Sequence, residues 1–168
     1  AFVAKRSEDK ESQLYVIATD GGEATRVGDM PTGVSSPKWF PDSKRIAFIS
    51  RVWPDLADWK KAGERLDERE KSKMKAQAWS RPPIAYWDHW IDERQAHVFS
   101  IPLEGGTPTA ITLGTGFELT RQELDGHAYD IAPDGSEIAF VADIAPTGVN
   151  QIFDVFVVPA AGGQARNL

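Results

Sequence analysis

The sequence predicts an all-β fold of antiparallel, four-stranded sheets that repeat about three times along the chain, with one helical insertion. Three observations lead to this prediction. A Pro-Asp turn recurs, a pair of adjacent glycines recurs, and short runs of strong β formers flank both kinds of turn. Because these runs are bounded by Gly, Pro or Asp, they indicate strands joined by tight hairpins.

The Pro-Asp turn lies between two apolar runs. Residues 36–50 read "SPKWFPDSKRIAFIS" and residues 131–142 read "IAPDGSEIAFVA", so Ile-Ala-Phe follows the turn in both. Residues 1–4, "AFVA", match the end of each copy and give a third. Proline pre-sets the backbone at the second turn position, and Asp can bond nearby amides. The consecutive apolar residues indicate a strand buried on both faces between stacked sheets.

The glycine pairs follow a second recurring run of β formers, "LYVI", "VFSI" or "VFVV", and precede another short strand. The pairs are Gly21-Gly22, Gly105-Gly106 and Gly162-Gly163. The turn spacings give a repeating unit of about 49 to 57 residues, the size of a four-stranded propeller blade. A β-sandwich has similar strands but no reason to repeat this order of turns. The prediction is therefore a partial β-propeller of about three four-stranded antiparallel blades.

The repeat also predicts how the chain is divided. One partial propeller domain covers 1–168, with strands two to four of a first blade at 1–28, a second blade at 34–113 carrying an insertion at 52–95, and a third blade at 126–168. Closed propellers need about four to eight blades, so the sequence is expected to be a piece of a larger protein. Open blade faces and unpaired strand edges predict self-association.

Composition limits the classes of function. The formal charge is −6, which disfavours a general surface for nucleic acid or anionic membranes. The absence of cysteine removes disulfides, thiolate metal sites and cysteine nucleophiles. No apolar run is long enough for a transmembrane helix, and the first residues do not resemble a secretory signal. The compartment stays open.

Motifs that carry catalysis are absent from the sequence. Residues 33–37, "GVSSP", only superficially resemble a nucleophile elbow, and no phosphate loop or dinucleotide fingerprint occurs. His89, His97 and His127 lack metal-ligand spacing. We therefore predict no catalytic residue, no metal and no cofactor in this segment.

The long connections are predicted to share one rim. Strand direction alternates within a blade, so the tight turns lie at one end and the loops 27–37, 51–96, 113–128 and 143–154 at the other. Long loops on a rigid scaffold are where binding usually resides.

The longest connection divides into a helix and an aromatic segment. Residues 55–78 are predicted to be helical, with Asp55 and Asp58 at the start and Pro82-Pro83 enforcing the end. Residues 84–95, "IAYWDHWIDERQ", mix aromatic and charged side chains, as suits recognition of a peptide. In the alternative interpretation, the aromatics anchor the helix to the blade and the charges pair with one another.

These residues resemble a known family. "SPKWFPDSKRIAFIS", "APDGSEIAFVAD" and "DGGEATRV" resemble the propeller repeats of the prolyl oligopeptidase family of serine peptidases and, more loosely, those of TolB-like proteins. "YWDHWIDERQAHVFSIPLEGG" and "DVFVVPAAGGQARNL" are similar to the N-terminal propeller of bacterial dipeptidyl aminopeptidase and acylaminoacyl-peptidase relatives. The resemblance covers essentially the whole chain.

The resemblance implies a function for the long-loop rim. In the family, a C-terminal α/β-hydrolase domain carries the catalytic triad, and the propeller restricts access and in some members holds the peptide's amino terminus. Asp88, or in second place Glu93, is the carboxylate expected to hold that amine through charge-assisted hydrogen bonds. The tandem-glutamate pattern of other branches is missing, so the choice between free-amine and acylated peptides stays open. The candidate substrate-binding residues are Trp87, Asp88, His89, Trp90, Asp92, Glu93 and Asn150.

Two other classes of function compete with the peptidase interpretation. A TolB-like propeller can act as a protein–protein binding module without any hydrolase. A propeller lyase or glycosidase would need clustered acids on inner strands, where this chain has Trp39, Ala128 and Tyr129. A nucleophile elbow further along the full-length protein would decide for the peptidase.

Overall fold

The computed structural model describes residues 1–55, 58–73, 76, 78–80, 82, 84–121, 124–145 and 151–168. In these ranges the chain forms antiparallel strands and one helix, which confirms the predicted all-β class with a helical insertion. The elements are β1 (Phe2–Ala4), β2 (Gln13–Val16), β3 (Thr25–Arg26), β4 (Ser35–Trp39), β5 (Arg45–Val52), α1 (Trp59–Ser72), β6 (Ala85–Tyr86), β7 (His89–Trp90), β8 (Gln95–Pro102), β9 (Thr109–Ala110), β10 (Tyr129–Ile131), β11 (Glu137–Asp143), β12 (Phe153–Pro159) and β13 (Arg166–Asn167).

The strands form separate sheets in which neighbours in sequence pair with each other. The first sheet has the order β1-β2-β3, the second β4-β5-β8-β9 and the third β10-β11-β12-β13, while β6 and β7 form a hairpin of their own. The insertion between β5 and β8 thus contains α1 and this hairpin. Ring closure, the number of blades and the predicted blade boundaries stay predictions.

The second sheet lies between the other two. On one face, Phe48 and Ile101 belong to an apolar cluster with Leu14 of the first sheet. On the other face, Ile49 and Val98 belong to a cluster with residues of the third sheet. The consecutive apolar residues of β5 are buried for this reason, because each face of the strand has its own partner sheet.

Side chains join β4 of the second sheet to β10 of the third. The Lys38 ammonium donates to the Tyr129 carbonyl at 2.7 Å, and the Tyr129 hydroxyl donates to the Ser36 carbonyl at 2.7 Å. Lys38 also forms an ion pair with Asp130 at 3.0 Å. Burial raises the pKa of the Tyr129 hydroxyl, so it stays protonated and remains a donor. The two strands are therefore fixed to each other without a backbone ladder.

The helix is shorter than the sequence predicted. It begins at Trp59, after Asp58, whose carboxylate accepts hydrogen bonds from the backbone N–H groups of Lys60 and Lys61 at 2.8 and 3.3 Å. It ends at Ser72, because Lys73 adopts the left-handed conformation with φ of 51°. The predicted bounds of 55 and 78 are therefore wrong, whereas the prediction of Asp58 as a capping residue is confirmed.

The helix contacts two sheets. The Trp59 ring packs edge-on against Phe99 of β8, with ring centroids 5.0 Å apart. Further along the helix, Asp67 accepts a hydrogen bond from Lys10, in the loop between β1 and β2, at 2.7 Å. The helix therefore extends from the second sheet, which its first residue contacts, to the β1–β2 loop of the first sheet.

Gly162 is the turn residue whose substitution should most clearly destabilise the fold. Its φ is +83°, and a Cβ there would lie 2.8 Å from the Ala110 carbonyl oxygen in β9 of the second sheet. Gly162→Ala should therefore lower the free energy of unfolding by about 2 to 3 kcal/mol, of which the left-handed backbone accounts for about 1 to 2 kcal/mol.

Gly116 provides the matched control, since its φ is +87° and nothing lies within 4 Å of a Cβ built there. Gly116→Ala should lose only the backbone cost of about 1 to 2 kcal/mol. Urea denaturation of both variants measures the difference. Equal losses in the free energy of unfolding would show that the close contact between Gly162 and the Ala110 carbonyl does not disfavour a Cβ at position 162.

Candidate functional site

The turn of the β6–β7 hairpin places two of the candidate residues in solvent. Ala85 pairs with Trp90 and Tyr86 with His89, so Trp87 and Asp88 form the turn. Trp87 is 87% exposed and has a φ of 52°. The Asp88 side chain is 99% exposed, and His89 lies 3.4 Å from its carboxylate. The Asp88 carboxylate thus faces solvent in this segment, and its assignment to a peptide amine stays a prediction.

Aromatic rings pack at the base of the hairpin. The Trp90 and Trp79 ring centroids lie 5.2 Å apart, and the Trp79 indole donates to the Ile91 carbonyl at 2.6 Å. Trp90 nevertheless stays 64% exposed. These contacts join two parts of the insertion to each other. Trp79 was absent from the predicted site because it lies outside the segment 84–95.

The residues that follow the hairpin alternate between two cavities. Glu93 and Gln95 line one cavity, whereas Asp92 and Arg94 line the other. Arg121 lines both and so forms part of the wall between them. We call them the Glu93 cavity and the arginine cavity.

The Glu93 cavity has a volume of about 290 Å³ and two indole walls, Trp53 and Trp79. The Trp53 indole donates to Glu93 Oε1 at 3.2 Å, and Arg65 approaches the same oxygen at 3.7 Å. The Arg65 guanidinium also stacks over the Trp53 ring at 4.6 Å. These contacts fix the Glu93 side chain, which is about half exposed at 52%.

The arginine cavity has a volume of about 180 Å³ and is lined by Arg51, Arg94 and Arg121, together with Asp92, His89 and Trp90. The Asp92 carboxylate accepts from the Arg94 backbone at 2.8 Å and from its Nε at 2.6 Å. Both Asp92 oxygens therefore accept hydrogen bonds from Arg94, so Asp92 fixes the position of the Arg94 guanidinium group.

Arg121 is almost fully buried and is held by the insertion. It donates to the carbonyl of Asp92 at 2.9 Å and to that of Pro82 at 3.4 Å, and it lies 3.9 Å from Glu118. Arg51 donates to the Arg121 carbonyl at 3.4 Å. Burial lowers the pKa of Arg51, an effect that the Asp92 carboxylate partly offsets.

Two histidines lie outside these cavities, and one candidate residue lies outside the described ranges. Asn150 is outside the described residues. His97 is buried in β8 and contacts the Thr112 hydroxyl at 3.1 Å, while exposed His127 contacts Asp125 at 3.1 Å. In the part of the chain that the structure describes, no group of three His, Asp or Glu side chains is arranged to hold a metal ion. Over those same ranges, no helix has the length and apolarity needed to cross a membrane.

Solved structures with the same arrangement of sheets show which fold this is. TolB from Agrobacterium tumefaciens superposes with a TM-score of 0.54 at 14% identity, over 98% of this chain and 43% of that one. TolB from Acinetobacter baumannii superposes with a TM-score of 0.52 at 18% identity, over 98% of this chain and 29% of that one. The fold is that of a TolB-type β-propeller. No protein-family model matches the chain.

A curated relative connects this propeller sequence with a peptidase. The chain is 30% identical over 167 residues to the uncharacterized peptidase YuxL of Bacillus subtilis. The match covers 94% of this chain and 22% of YuxL, so the propeller spans about a fifth of the relative's length. The predicted resemblance to a propeller segment of a bacterial peptidase is thereby confirmed.

Proposed function

We propose that this propeller segment belongs to a serine peptidase of the prolyl oligopeptidase family, of the dipeptidyl aminopeptidase or acylaminoacyl-peptidase type. There it limits access to a separate α/β-hydrolase domain and helps to bind the amino terminus of a peptide. The match to the peptidase YuxL along 94% of the chain is the observation that carries the proposal. The insertion between β5 and β8 supports it, because it lines the two cavities of the candidate site.

Glu93 is the residue to which we assign the peptide's amino group. Its side chain is about half exposed and lines a cavity with aromatic walls, and Trp53 donates a hydrogen bond to one of its carboxylate oxygens. A carboxylate in such a setting favours an ammonium group through charge-assisted hydrogen bonds. Exposed Asp88 would be screened by solvent, so we place it with Trp87, His89 and Trp90 as an outer contact for the peptide.

The test is Glu93→Gln in the full-length protein. The substitution keeps the shape of the side chain and removes its charge, so KM for a short substrate with a free amino terminus should rise about 10- to 100-fold. KM for the N-acetylated form of the same substrate should not change. Steady-state hydrolysis of the two chromogenic peptides measures both values.

Asp88→Asn is the matched control, because it removes a charge that is 99% exposed. It should leave both KM values within about twofold, as expected for a solvent-screened surface charge. Equal KM values for wild type and Glu93→Gln on the free-amine substrate would contradict the assignment of Glu93.

A second candidate function is a TolB-type binding module that recruits a protein partner. The two TolB superpositions favour it as far as the fold is concerned. Hydrolysis of any short aminoacyl or dipeptidyl chromogenic substrate by the full-length protein would decide for the peptidase. Self-association through exposed strand edges stays a prediction, and a monodisperse monomer at high concentration would contradict it.

A further inference from the structure

Arg65 of α1 contacts two carboxylates that line the Glu93 cavity. Its Nη2 lies 3.7 Å from Glu93 Oε1, and its Nη1 lies 3.4 and 3.5 Å from the two oxygens of Asp55. The guanidinium group also lies over the Trp53 ring, 4.6 Å from the ring centroid. One cationic side chain of the helix thus bridges the proposed amine site and a second carboxylate.

The Arg65 guanidinium is shared between these carboxylates and is not committed to either. Its three nitrogen–oxygen distances all exceed the usual range of about 2.7 to 3.2 Å for an N–H···O hydrogen bond. The side chains of Arg65 and Glu93 are partly exposed, and that of Asp55 is mostly exposed. Water can therefore replace either contact of the guanidinium at little cost in free energy.

Glu93 keeps a protein donor when Arg65 moves away. The Trp53 indole donates to Glu93 Oε1 at 3.2 Å, the same oxygen that Arg65 approaches. Trp53 is itself buried and therefore a fixed donor. The orientation of the Glu93 carboxylate consequently does not depend on Arg65 alone.

A peptide ammonium at Glu93 would be close to the Arg65 guanidinium, because both cations would contact the same carboxylate. Like charges at such a separation repel each other. A shift of the guanidinium toward Asp55 relieves this repulsion and leaves Arg65 with a carboxylate partner. Because the Asp55 side chain is mostly exposed, it can follow the guanidinium without disturbing a packed group.

We propose that Arg65 is a positioning residue that competes with the peptide's amino group for Glu93 and moves onto Asp55 when the peptide binds. The inference rests on the proposed function, in which Glu93 binds the amine. An N-acylated peptide has no ammonium group and does not displace Arg65. Arg65 therefore narrows the difference in affinity between free-amine and acylated peptides, so helix α1 sets the selectivity of the site.

The experiment measures binding of two labelled peptides to the full-length protein by fluorescence anisotropy. Both are the amidated tetrapeptide Ala-Ala-Ala-Lys with the label on the lysine side chain, and one of them is N-acetylated. The ratio of their dissociation constants is the amine preference. Arg65→Gln should raise this preference about two- to fivefold, because it removes a partly exposed cation from Glu93. The dissociation constant of the acetylated peptide should not change.

Matched variants assign the effect to the pair of carboxylates. Arg65→Lys keeps the competing charge and should stay within about twofold of the wild type. Asp55→Asn removes the alternative partner of Arg65 and should lower the preference about two- to fivefold. It should have no effect in the Arg65→Gln background, because Asp55 acts through Arg65. Circular dichroism of each variant reports whether it has folded.

The outcomes separate this inference from the proposed function. A preference that is unchanged or reduced in Arg65→Gln overturns the competition and leaves the assignment of Glu93 to its own test. An equal effect of Asp55→Asn with and without Arg65 overturns the transfer to Asp55. Absence of any preference, or of any binding, in both the wild type and Arg65→Gln overturns the amine site together with the inference. A raised preference in Arg65→Gln without hydrolysis of any chromogenic peptide supports the competition and overturns the peptidase function alone.

Discussion

Phe140→Ala should lower the free energy of unfolding by about 3 to 5 kcal/mol, the usual cost of deleting a fully buried phenylalanine side chain. Phe140 is 1% exposed in β11 and belongs to the apolar cluster between the second and third sheets. Its ring lies 5.8 Å from that of Phe156 on the neighbouring strand. Because the cluster is lined from two sheets, neither can move far enough to fill the space that alanine would leave.

Urea denaturation of the 168-residue chain measures this loss, and Phe153→Ala is its control. Phe153 lies on β12 in the same sheet but is 49% exposed. The same chemical change should therefore cost only about 1 kcal/mol or less there. Similar losses for the two variants would show that the contact between the second and third sheets adds little to stability.

His97 should make the chain less stable as the pH falls from about 6.5 to about 4. Burial lowers the pKa of His97 to about 4 from its ordinary value of 6.5, so between these values the unfolded chain binds a proton that the folded chain does not. Stability from the neutral imidazole is fully present above pH 6.5 and is lost as the pH falls. The shift corresponds to about 3 kcal/mol at its full extent.

His97→Gln isolates this contribution, because glutamine does not titrate. Urea denaturation between pH 4 and pH 7 should show the wild type losing about 2 to 3 kcal/mol more than the variant across this range. Several aspartates in the chain have lowered pKa values, among them Asp9 and Asp130, and their contribution is lost below about pH 4 in both proteins. Parallel curves for the two proteins would contradict the burial of a neutral His97.

The sequence predicted the sheets because their signals are local. A Pro-Asp or Gly-Gly turn and the apolar residues beside it lie within about ten residues of each other, so turn chemistry and burial favour the same hairpin. The residue at which the helix ends could not be predicted from local signals of this kind. It ends where Lys73 takes a left-handed conformation, and lysine has no special preference for that conformation.

The candidate site was predicted only in part, because its halves are distant in sequence. The aromatic and acidic residues of the insertion are close together in the sequence, so this pattern alone predicts Glu93 and Trp90 as candidates. Arg51 and Arg121 are 70 residues apart and meet only when β5 and the loop after β9 are side by side. The order of acidic residues in the sequence also does not show which cavity each side chain lines. Asp92 lines the arginine cavity beside Arg94, whereas Glu93 lines the Glu93 cavity.

The position of α1 bears on the order in which the chain folds. The helix contacts Phe99 of β8 and Lys10 in the loop between β1 and β2. β5 and β8 pair across the insertion that contains the helix, from Val52 with Gln95 to Arg45 with Pro102. The surface against which the helix packs is therefore complete only when the first and second sheets have formed. We expect the helix to dock after both of them. Contacts made after the rate-limiting step slow unfolding and leave the folding rate almost unchanged, so docking of α1 would act on the lifetime of the native state.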